Sequence, residues 1–239
     1  MDKKRIYMIG DSIMQTNSYA TYPQTGWGQT LSLFIKDDVE IINLAKNGTS
    51  TKSFIDQGRF KFVEDNIKEN DLLIIGFAHN DENVQDPSRF TCYYSTFKEN
   101  LLYFISVAKR KKANVILTTP VIRRKYVNNM LVDTHGPYVN AIIDTAVLYK
   151  IPCINLNRFT YEFFSELDEE KSKEYFMNFA PALYENYPLG NSDDSHLRVE
   201  GAVLISKLFV KAIFVLNIKE KMYFDENNLF YCAKDTREK

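Results

Sequence analysis

The sequence contains few cysteines. Its 239 residues include three cysteines, Cys92, Cys153 and Cys232, which are odd in number, widely spaced and without a Cys-x-x-Cys pair. Such a set predicts reduced structural thiols in a cytoplasmic protein, and it argues against a disulfide framework or a thiolate metal centre.

The sequence also lacks an excess of charge of either sign. It has 30 Lys plus Arg residues against 31 Asp plus Glu, and no acidic tail. This balance argues against a nucleic-acid partner. It suits a neutral sugar or a small ester as the substrate.

Long apolar runs are absent as well. The run at residues 202–218 is interrupted by Lys207 and Lys211 and falls short of the roughly 20 residues of a membrane span. The apolar run near the N-terminus stops at Gly10, which is too short for a signal-peptide core. We therefore expect a cytoplasmic protein without a membrane anchor.

Strand-like and helix-like segments alternate along the chain. Strands are predicted at residues 6–9, 40–44, 72–77, 114–118 and 153–155. Helices are predicted at residues 30–35, 59–67, 93–110, 138–148 and 202–216. This alternation predicts βαβ units around a parallel sheet, in one domain that covers residues 1–239 with a core at about 5–215 and a C-terminal extension at about 218–239. The aromatic and charged segment 159–189 is expected to form helices or a lid-like insertion.

Three residues at opposite ends of the chain suggest nucleophilic catalysis. Ser12, in Gly10-Asp11-Ser12-Ile13, directly follows the first strand, where side chains reach the carboxyl edge of a parallel sheet. Asp193 and His196 are three residues apart, so the carboxylate can reach Nδ1 of the imidazole and leave Nε2 for the serine. A serine hydroxyl needs such a base, and the base needs an orienting group.

Two further motifs follow predicted strands. Asn47-Gly48 comes after the second strand, and Ala78-His79-Asn80-Asp81 after the third. Acyl transfer builds negative charge on the former carbonyl oxygen, which backbone N–H groups or an Asn amide stabilise. Gly48 and Asn80 are therefore candidates for the oxyanion hole.

These four motifs together resemble the SGNH hydrolases, also called GDSL-type esterases. Ser12, Gly48, Asn80 and His196 occupy the positions of the four residues that give that superfamily its name, and they occur in the same order. The similarity extends from about residue 5 to about residue 215.

Within this superfamily the sequence is similar to the rhamnogalacturonan acetylesterase branch. The segments that carry this likeness are Pro23-Gln24-Thr25-Gly26-Trp27-Gly28, Ser50-Thr51-Lys52-Ser53-Phe54-Ile55, His79-Asn80-Asp81, Thr119-Pro120-Val121-Ile122-Arg123-Arg124, His135-Gly136-x-Tyr138 and Leu197-x-x-x-Gly201-Ala202. Two positions depart from the pattern. Ala78 replaces a glycine of the branch and disfavours positive φ, and Thr49 stands where an arginine is common.

The resemblance implies a three-layer α/β/α sandwich with a mostly parallel, flavodoxin-like sheet. It also implies a serine esterase that hydrolyses O-acetyl esters of pectin- or hemicellulose-derived oligosaccharides without a cofactor. Ser12 would be the nucleophile, His196 the base and Asp193 its orienting group. The N–H groups of Ser12 and Gly48, with the Asn80 amide, would form the oxyanion hole.

Two alternatives remain open at this stage. One is a broad-specificity acylhydrolase, lipase or thioesterase of the same superfamily. The other is a non-catalytic carbohydrate-binding protein with the same fold. The sugar, the acyl-chain preference and the oligomeric state are not set by the sequence.

Five other residues are candidates for supporting roles. Asp11 is expected to orient the nucleophile turn, His79 to form structural hydrogen bonds, and Trp27 to pack rather than stack on a sugar. His135 is expected to be a loop residue that contacts substrate or solvent. Arg123 would bind an acidic sugar or, more simply, form an ion pair that fixes its loop. The histidines lack the short spacing of metal ligands, so no metal site is expected.

Asp194, next to Asp193, is a second carboxylate within reach of His196. The three-residue spacing and the superfamily pattern both select Asp193. We expect Asp194 to point to solvent or to cap a helix that begins near Leu197.

Overall fold

A five-stranded parallel sheet forms the centre of the protein. The computed structural model describes residues 3–231 and, for Tyr231, the backbone only. The sheet strands are β1 (Lys4–Gly10), β2 (Val39–Asn43), β3 (Leu72–Gly76), β4 (Asn114–Thr118) and β7 (Cys153–Ile154). Two short antiparallel pairs lie outside this sheet, β5 (Tyr126–Val127) with β6 (Met130–Leu131), and β8 (Phe176–Phe179) with β9 (Asn191–Leu197).

The helices connect these strands. The α-helices are α1 (Trp27–Thr30), α2 (Thr51–Asp56), α3 (Lys61–Asn66), α4 (Thr96–Arg110), α5 (Pro137–Tyr149), α6 (Leu156–Ser165), α7 (Glu169–Ser172), α8 (Val199–Val215) and α9 (Asn228–Tyr231). Short 3₁₀ helices occupy Tyr19–Thr21, Leu31–Phe34, Lys173–Tyr175 and Lys219–Tyr223. The expected α/β/α architecture is confirmed, because helices cover both faces of the parallel sheet.

The strand order is β2-β1-β3-β4-β7, with all neighbours parallel. The order reverses direction at β1, and ligands of such sheets bind at the carboxyl ends of the strands beside this reversal. Gly10 at the end of β1 pairs with Gly76 at the end of β3. A Cβ on Gly10 would lie 2.5 Å from the Gly76 carbonyl oxygen, so only glycine permits this approach.

The alternation of side chains along β1 explains why the sheet is covered on both faces. Ile6 and Met8 point into one core, which α8 completes, while Tyr7 and Ile9 point into the other, beneath α2–α5. All four side chains are fully buried. A strand buried on both faces reads as a continuous apolar run, as it does in this sequence.

The predicted strands agree with the observed ones to within two residues at each end, and the long helices α4, α5 and α8 to within three. The predicted helix at 30–35 is wrong in position. The α-helical turn there is Trp27–Thr30, and residues Leu31–Phe34 continue as a 3₁₀ helix. Thr30, the last residue of this turn, donates its hydroxyl to the Trp27 carbonyl and pairs with Ser206 of α8.

The segment 159–189 is only partly helical. It contains the end of α6, then α7, and then β8, which pairs antiparallel with β9. Asp193 and His196 therefore lie on a strand, β9, that is outside the central sheet. A register irregularity between Phe176 and Met177 bends this pair.

The C-terminal extension packs against the body of the protein, through Tyr223 and Phe224 and again through Leu229 of α9. Tyr223 and Phe224 are fully buried in the core beneath α8, and Phe224 forms a bridge with Ile35. Residues 232–239, with Cys232, lie outside the described part, as do residues 1 and 2 of the predicted domain. Within residues 3–231, no helix has the length and apolar character that a membrane crossing requires.

Candidate active site

Ser12 lies in a tight turn that β1 delivers to the sheet edge. The turn is closed by Asp11, whose Oδ1 accepts from the Ile13 N–H at 3.0 Å and whose carbonyl accepts from the Met14 N–H at 3.2 Å. Ser12 itself is 8% exposed. The expectation that Asp11 shapes this turn agrees with these contacts.

A chain of two hydrogen bonds links Ser12 to Asp193 through His196. The Ser12 Oγ lies 2.9 Å from His196 Nε2, and His196 Nδ1 lies 2.7 Å from Asp193 Oδ2. Both distances are those of good hydrogen bonds. With Asp193 accepting from Nδ1, the ring presents Nε2 to the serine, the arrangement in which imidazole removes a hydroxyl proton.

Asp193 is held by its own backbone turn. Its Oδ1 accepts from the Ser195 N–H at 2.8 Å and the His196 N–H at 3.0 Å. Partial burial works to raise the pKa of Asp193, but the hydrogen bonds from the ring and backbone of His196 outweigh it and bring the pKa to about 2. The carboxylate is thus charged throughout the neutral range.

Gly48 and Asn80 follow β2 and β3 and reach the same sheet edge as Ser12. Gly48 has φ +76°, a conformation that favours glycine. Within residues 3–231, the N–H groups of Ser12 and Gly48 donate to no protein acceptor. The Asn80 amide donates one hydrogen to the Thr49 carbonyl at 2.9 Å and keeps a second one. These groups can therefore donate to a substrate oxygen.

Arg89 is a neighbour of the site that the sequence does not predict. Its Nη1 donates to Asn80 Oδ1 at 3.1 Å, and its Nε pairs with Asp86 at 2.6 Å. The same Nη1 lies 4.0 Å from the position of a Cβ on Gly48. A cation thus stands beside the candidate oxyanion hole although Thr49 replaces the usual arginine. Its loop position, without periodicity, gives no signal in the sequence.

Asp81, next to Asn80, is a buried anchor. Its carboxylate accepts from the N–H of Thr51 and from the hydroxyls of Thr51 and Thr91. Complete burial raises the pKa of Asp81 to about 7, against the opposing effect of these hydrogen bonds. Asp81 thereby fixes the segment of Asn80 to the start of α2.

His135 is not the substrate- or solvent-contacting loop residue that the sequence suggests. It is 1% exposed, and its ring is enclosed between Glu82 Oε2, 3.0 Å from Nδ1, and the Val121 carbonyl, 3.0 Å from Nε2. Glu82 also pairs with Nη1 of Arg123, which donates to the hydroxyl of Thr134 as well, while Nη2 donates to the carbonyl of His79. Arg123 thus has the simpler of its two expected roles, an ion pair.

His79 and Asp11 each bury a polar atom without a partner among the described residues, Nε2 in His79 and Oδ2 in Asp11. Both residues line one small cavity of about 10 Å³ behind the nucleophile turn. Burial lowers the pKa of His79 well below its usual value and raises the pKa of Asp11 to about 6. At Nε2 the predicted structural hydrogen bond of His79 is absent from the described residues, although its ring packs edge-on to His135 at 4.4 Å.

Trp27 packs in the core, in agreement with the preferred interpretation. It is 2% exposed, and its ring lies 5.1 Å from that of Phe209. The expectation for Asp194 is wrong in part. Its side chain is about half exposed, but it accepts from Arg124 at 2.9 Å and Asn178 at 2.7 Å, and the cap position of α8 belongs to Arg198.

The described part of the chain contains no group of three or more His, Cys, Asp or Glu side chains arranged to hold a metal ion. The geometry is that of a hydroxyl, an imidazole and a carboxylate in line, with amide donors beside the hydroxyl. This arrangement can carry out acyl transfer.

Comparisons with known proteins point in the same direction. Residues 6–209 match the family model of the GDSL-like Lipase/Acylhydrolase proteins. The chain is 34% identical over 213 residues to the probable rhamnogalacturonan acetylesterase YesY of Bacillus subtilis, an alignment that covers 89% of this chain and 94% of YesY. It is also 34% identical over 218 residues to the rhamnogalacturonan acetylesterase RhgT of the same organism, covering 91% and 92%.

Solved structures share the fold. The protein YxiM of Bacillus subtilis superposes with a TM-score of 0.78 at 24% identity over 91% of this chain, which spans 58% of that structure. The acetylxylan esterase Axe2 of Geobacillus stearothermophilus superposes with a TM-score of 0.62 at 12% identity, covering 88% of this chain and 94% of Axe2.

Proposed function

Because this chain belongs to the family of GDSL-like lipases and acylhydrolases, we propose that it is a serine esterase that removes acetyl groups from carbohydrates. The observation that carries the proposal is the His196 ring, hydrogen-bonded to Ser12 on one side and to Asp193 on the other. The names of YesY, RhgT and Axe2 support an acetyl ester on a polysaccharide fragment.

The reaction begins when Ser12 Oγ attacks the acetyl carbonyl carbon. His196 Nε2 accepts the hydroxyl proton across the 2.9 Å hydrogen bond and then donates it to the departing sugar hydroxyl. A water molecule, activated by the same nitrogen, releases acetate from the serine. Asp193 stabilises the imidazolium that forms in each half, since it keeps its negative charge.

The oxyanion is held by the N–H groups of Ser12 and Gly48 and by the Asn80 amide. Each donor is fixed before substrate arrives, because the turn at Asp11, the positive φ of Gly48 and the Thr49 carbonyl set their directions. Preorganised donors of this kind lower the barrier without reorganising during the reaction.

The whole chain acts as one domain in this proposal, and the reaction needs no cofactor. The cytoplasmic location expected from the sequence makes an oligosaccharide fragment the natural substrate. The broad-specificity acylhydrolase or thioesterase remains the second candidate, because family membership alone accommodates longer acyl groups.

A substrate series separates these candidates. We expect kcat/KM to be highest for acetylated rhamnogalacturonan and xylan oligosaccharides, and to fall from acetyl to butyryl to octanoyl among 4-nitrophenyl esters. In an open apolar groove each added methylene would instead contribute about 0.8 kcal/mol of favourable burial. Rates that climb with acyl length would favour the lipid or thioester substrate.

The nucleophile is tested separately. Ser12→Ala should lower kcat on the order of 10⁴-fold or more with the fold retained by circular dichroism. A serine-reactive phosphonate should label Ser12 alone in peptide mass spectrometry. A folded variant that keeps more than a few per cent of the activity would overturn the mechanism. Full binding of oligosaccharide with no hydrolysis by the native chain would indicate the non-catalytic carbohydrate-binding protein.

A further inference from the structure

Two tyrosine rings stand exposed on the loop between the nucleophile turn and α1. Tyr19 is 74% exposed and Tyr22 44%, although aromatic side chains of this size are mostly buried. Their rings lie nearly parallel, with an interplanar angle of 10° and centroids 6.0 Å apart. We call these two rings the tyrosine platform.

The tyrosine platform is supported from behind by a second loop. The Tyr22 ring meets Tyr184 edge-on at 5.7 Å, and Tyr184 in turn packs on Phe179 at 4.7 Å. Asn186 donates its amide to the carbonyls of Tyr19, at 2.7 Å, and Tyr22, at 3.1 Å. The two exposed rings are therefore carried on a backbone that is tied down, so a ligand would not have to order them.

Both loops are joined directly to the catalytic candidates. The Trp27 N–H donates to the Ile13 carbonyl, next to Ser12, and the Thr25 N–H donates to the Leu197 carbonyl, next to His196, both at 2.9 Å. The second loop is tied to the first as well, because the Tyr187 hydroxyl donates to the Thr21 carbonyl at 3.4 Å. The loop that carries the platform is thus bonded to the segments of both Ser12 and His196.

We propose that the tyrosine platform is a sugar-binding subsite, on which a pyranose ring adjoining the acetylated residue stacks. This inference rests on the proposed function. An acetyl group at Ser12 leaves the rest of an oligosaccharide outside the reaction centre, and its sugars must extend over neighbouring surface. The apolar C–H face of a pyranose suits an aromatic face, while the phenol hydroxyls can hydrogen-bond to sugar hydroxyls.

A protein partner or a second copy of the chain would be the other occupant of an exposed aromatic surface. The position beside Ser12 and His196 favours the sugar, because a protein seated there would cover the entrance for the substrate. The platform itself also consists of two aromatic rings, not of aliphatic side chains.

The kinetic test compares Tyr19→Ala, Tyr22→Ala and the double variant on two substrates. On acetylated rhamnogalacturonan oligosaccharides we expect kcat/KM to fall roughly threefold to tenfold for each ring, through KM. On 4-nitrophenyl acetate, which has no adjoining sugar, kcat/KM should stay within about twofold. An equal loss of kcat/KM on both substrates would refute the sugar-binding role of the tyrosine platform.

Two controls sharpen this comparison. Tyr149→Ala removes a tyrosine of similar exposure, 39%, from the end of α5, at the opposite edge of the sheet, and should change neither substrate. Tyr19→Phe keeps the ring and should keep most of the affinity. If Tyr19→Phe loses as much as Tyr19→Ala, a hydrogen bond and not stacking binds the sugar.

Binding without turnover separates this proposal from the proposed function. In the Ser12→Ala background, calorimetric titration with the same oligosaccharides should show weaker binding when Tyr19 and Tyr22 are removed, even if the native chain hydrolyses other esters. Unchanged affinity, or the absence of oligosaccharide binding at millimolar concentration, would refute the subsite. A native dimer that the double variant converts to a monomer, with unchanged kinetics, would assign the platform to a second copy.

Discussion

Two histidines of this protein have similar hydrogen-bond partners, but only one of them is placed to act as a catalytic base. His196 and His135 each place Nδ1 on a carboxylate, that of Asp193 at 2.7 Å and that of Glu82 at 3.0 Å. Each places Nε2 on an oxygen, but the oxygen is the Ser12 hydroxyl for His196 and the Val121 carbonyl for His135. The His196 side chain is 28% exposed, whereas that of His135 is completely buried.

The difference shows which feature makes a histidine suitable for catalysis. A carbonyl only accepts hydrogen bonds, so Nε2 of His135 donates to Val121 and has no lone pair free to remove a proton. A hydroxyl both donates and accepts, so His196 can receive its proton and return it. The carboxylate partner alone does not distinguish a base from a structural hydrogen-bonding histidine.

The largest expected effect comes from replacing each histidine by glutamine, which removes Nε2. His196→Gln should lower kcat on the order of 10⁴-fold or more with little change in stability, because only the proton transfer is lost. His135→Gln should keep kcat within about tenfold but lower the unfolding free energy by roughly 3 kcal/mol, since Glu82 and the Val121 carbonyl lose a buried partner. Urea unfolding beside kinetics measures both. A His135 variant that is stable and inactive would reverse the assignment.

The next effect separates the two adjacent carboxylates. Asp193→Asn should lower kcat by about 10⁴-fold, because an amide at the orienting position can hold the wrong imidazole tautomer. Asp194→Asn should cost less than about tenfold, since it weakens a half-exposed pair with Arg124.

Kinetics of both variants from pH 5 to pH 9 provide the measurement. Because the pKa of Asp193 is about 2, its own titration should not contribute to the native profile in this range. Equal losses, or a larger loss for Asp194→Asn, would leave the orienting group unassigned.

A smaller effect concerns the donors around the oxyanion. Asn80→Ala should lower kcat by roughly 10² to 10³ with KM nearly unchanged. Arg89→Leu should lower kcat about tenfold, because the amide of Asn80 loses one of its two orienting contacts.

The double variant decides how Arg89 acts. If Arg89 works by positioning Asn80, then Asn80→Ala/Arg89→Leu should be no slower than Asn80→Ala alone. Additive losses would mean that the guanidinium acts on the substrate itself. Arg89→Lys keeps the positive charge but lacks the planar guanidinium that orients Asn80, so its kcat should be close to that of Arg89→Leu.

The sequence predicts the parts of the site that depend on strand ends. Ser12, Gly48 and Asn80 each follow one of three neighbouring parallel strands, so their convergence follows from the sheet order. The short spacing of Asp193 and His196 likewise predicts their mutual contact. Their catalytic roles stay predictions until the variants are measured.

Other parts depend on contacts that no local pattern encodes. Arg89 reaches Asn80 from a loop without periodicity, and His135 reaches Glu82 across 53 residues of chain. The pairing of β8 with β9 is not predicted, because β8 is short and polar residues dominate β9. An edge hairpin with this composition has no alternating apolar signal.

The smallest expected effect concerns Ala78, which replaces a glycine of the rhamnogalacturonan acetylesterase branch and has a positive φ. Ala78 has φ +147°, which L-residues rarely adopt, and its methyl is fully buried. Ala78→Gly should relieve roughly 1–3 kcal/mol of strain while losing about 0.8 kcal/mol of methyl burial and up to about 1 kcal/mol of chain entropy. These changes nearly cancel, so the unfolding free energy should move by less than about 1 kcal/mol.

Ala108→Gly, at an equally buried position inside α4, should cost about 2 kcal/mol because no strain is relieved there. Urea unfolding of the two variants checks the contrast, and equal losses would mean that Ala78 stores no strain beside Asn80.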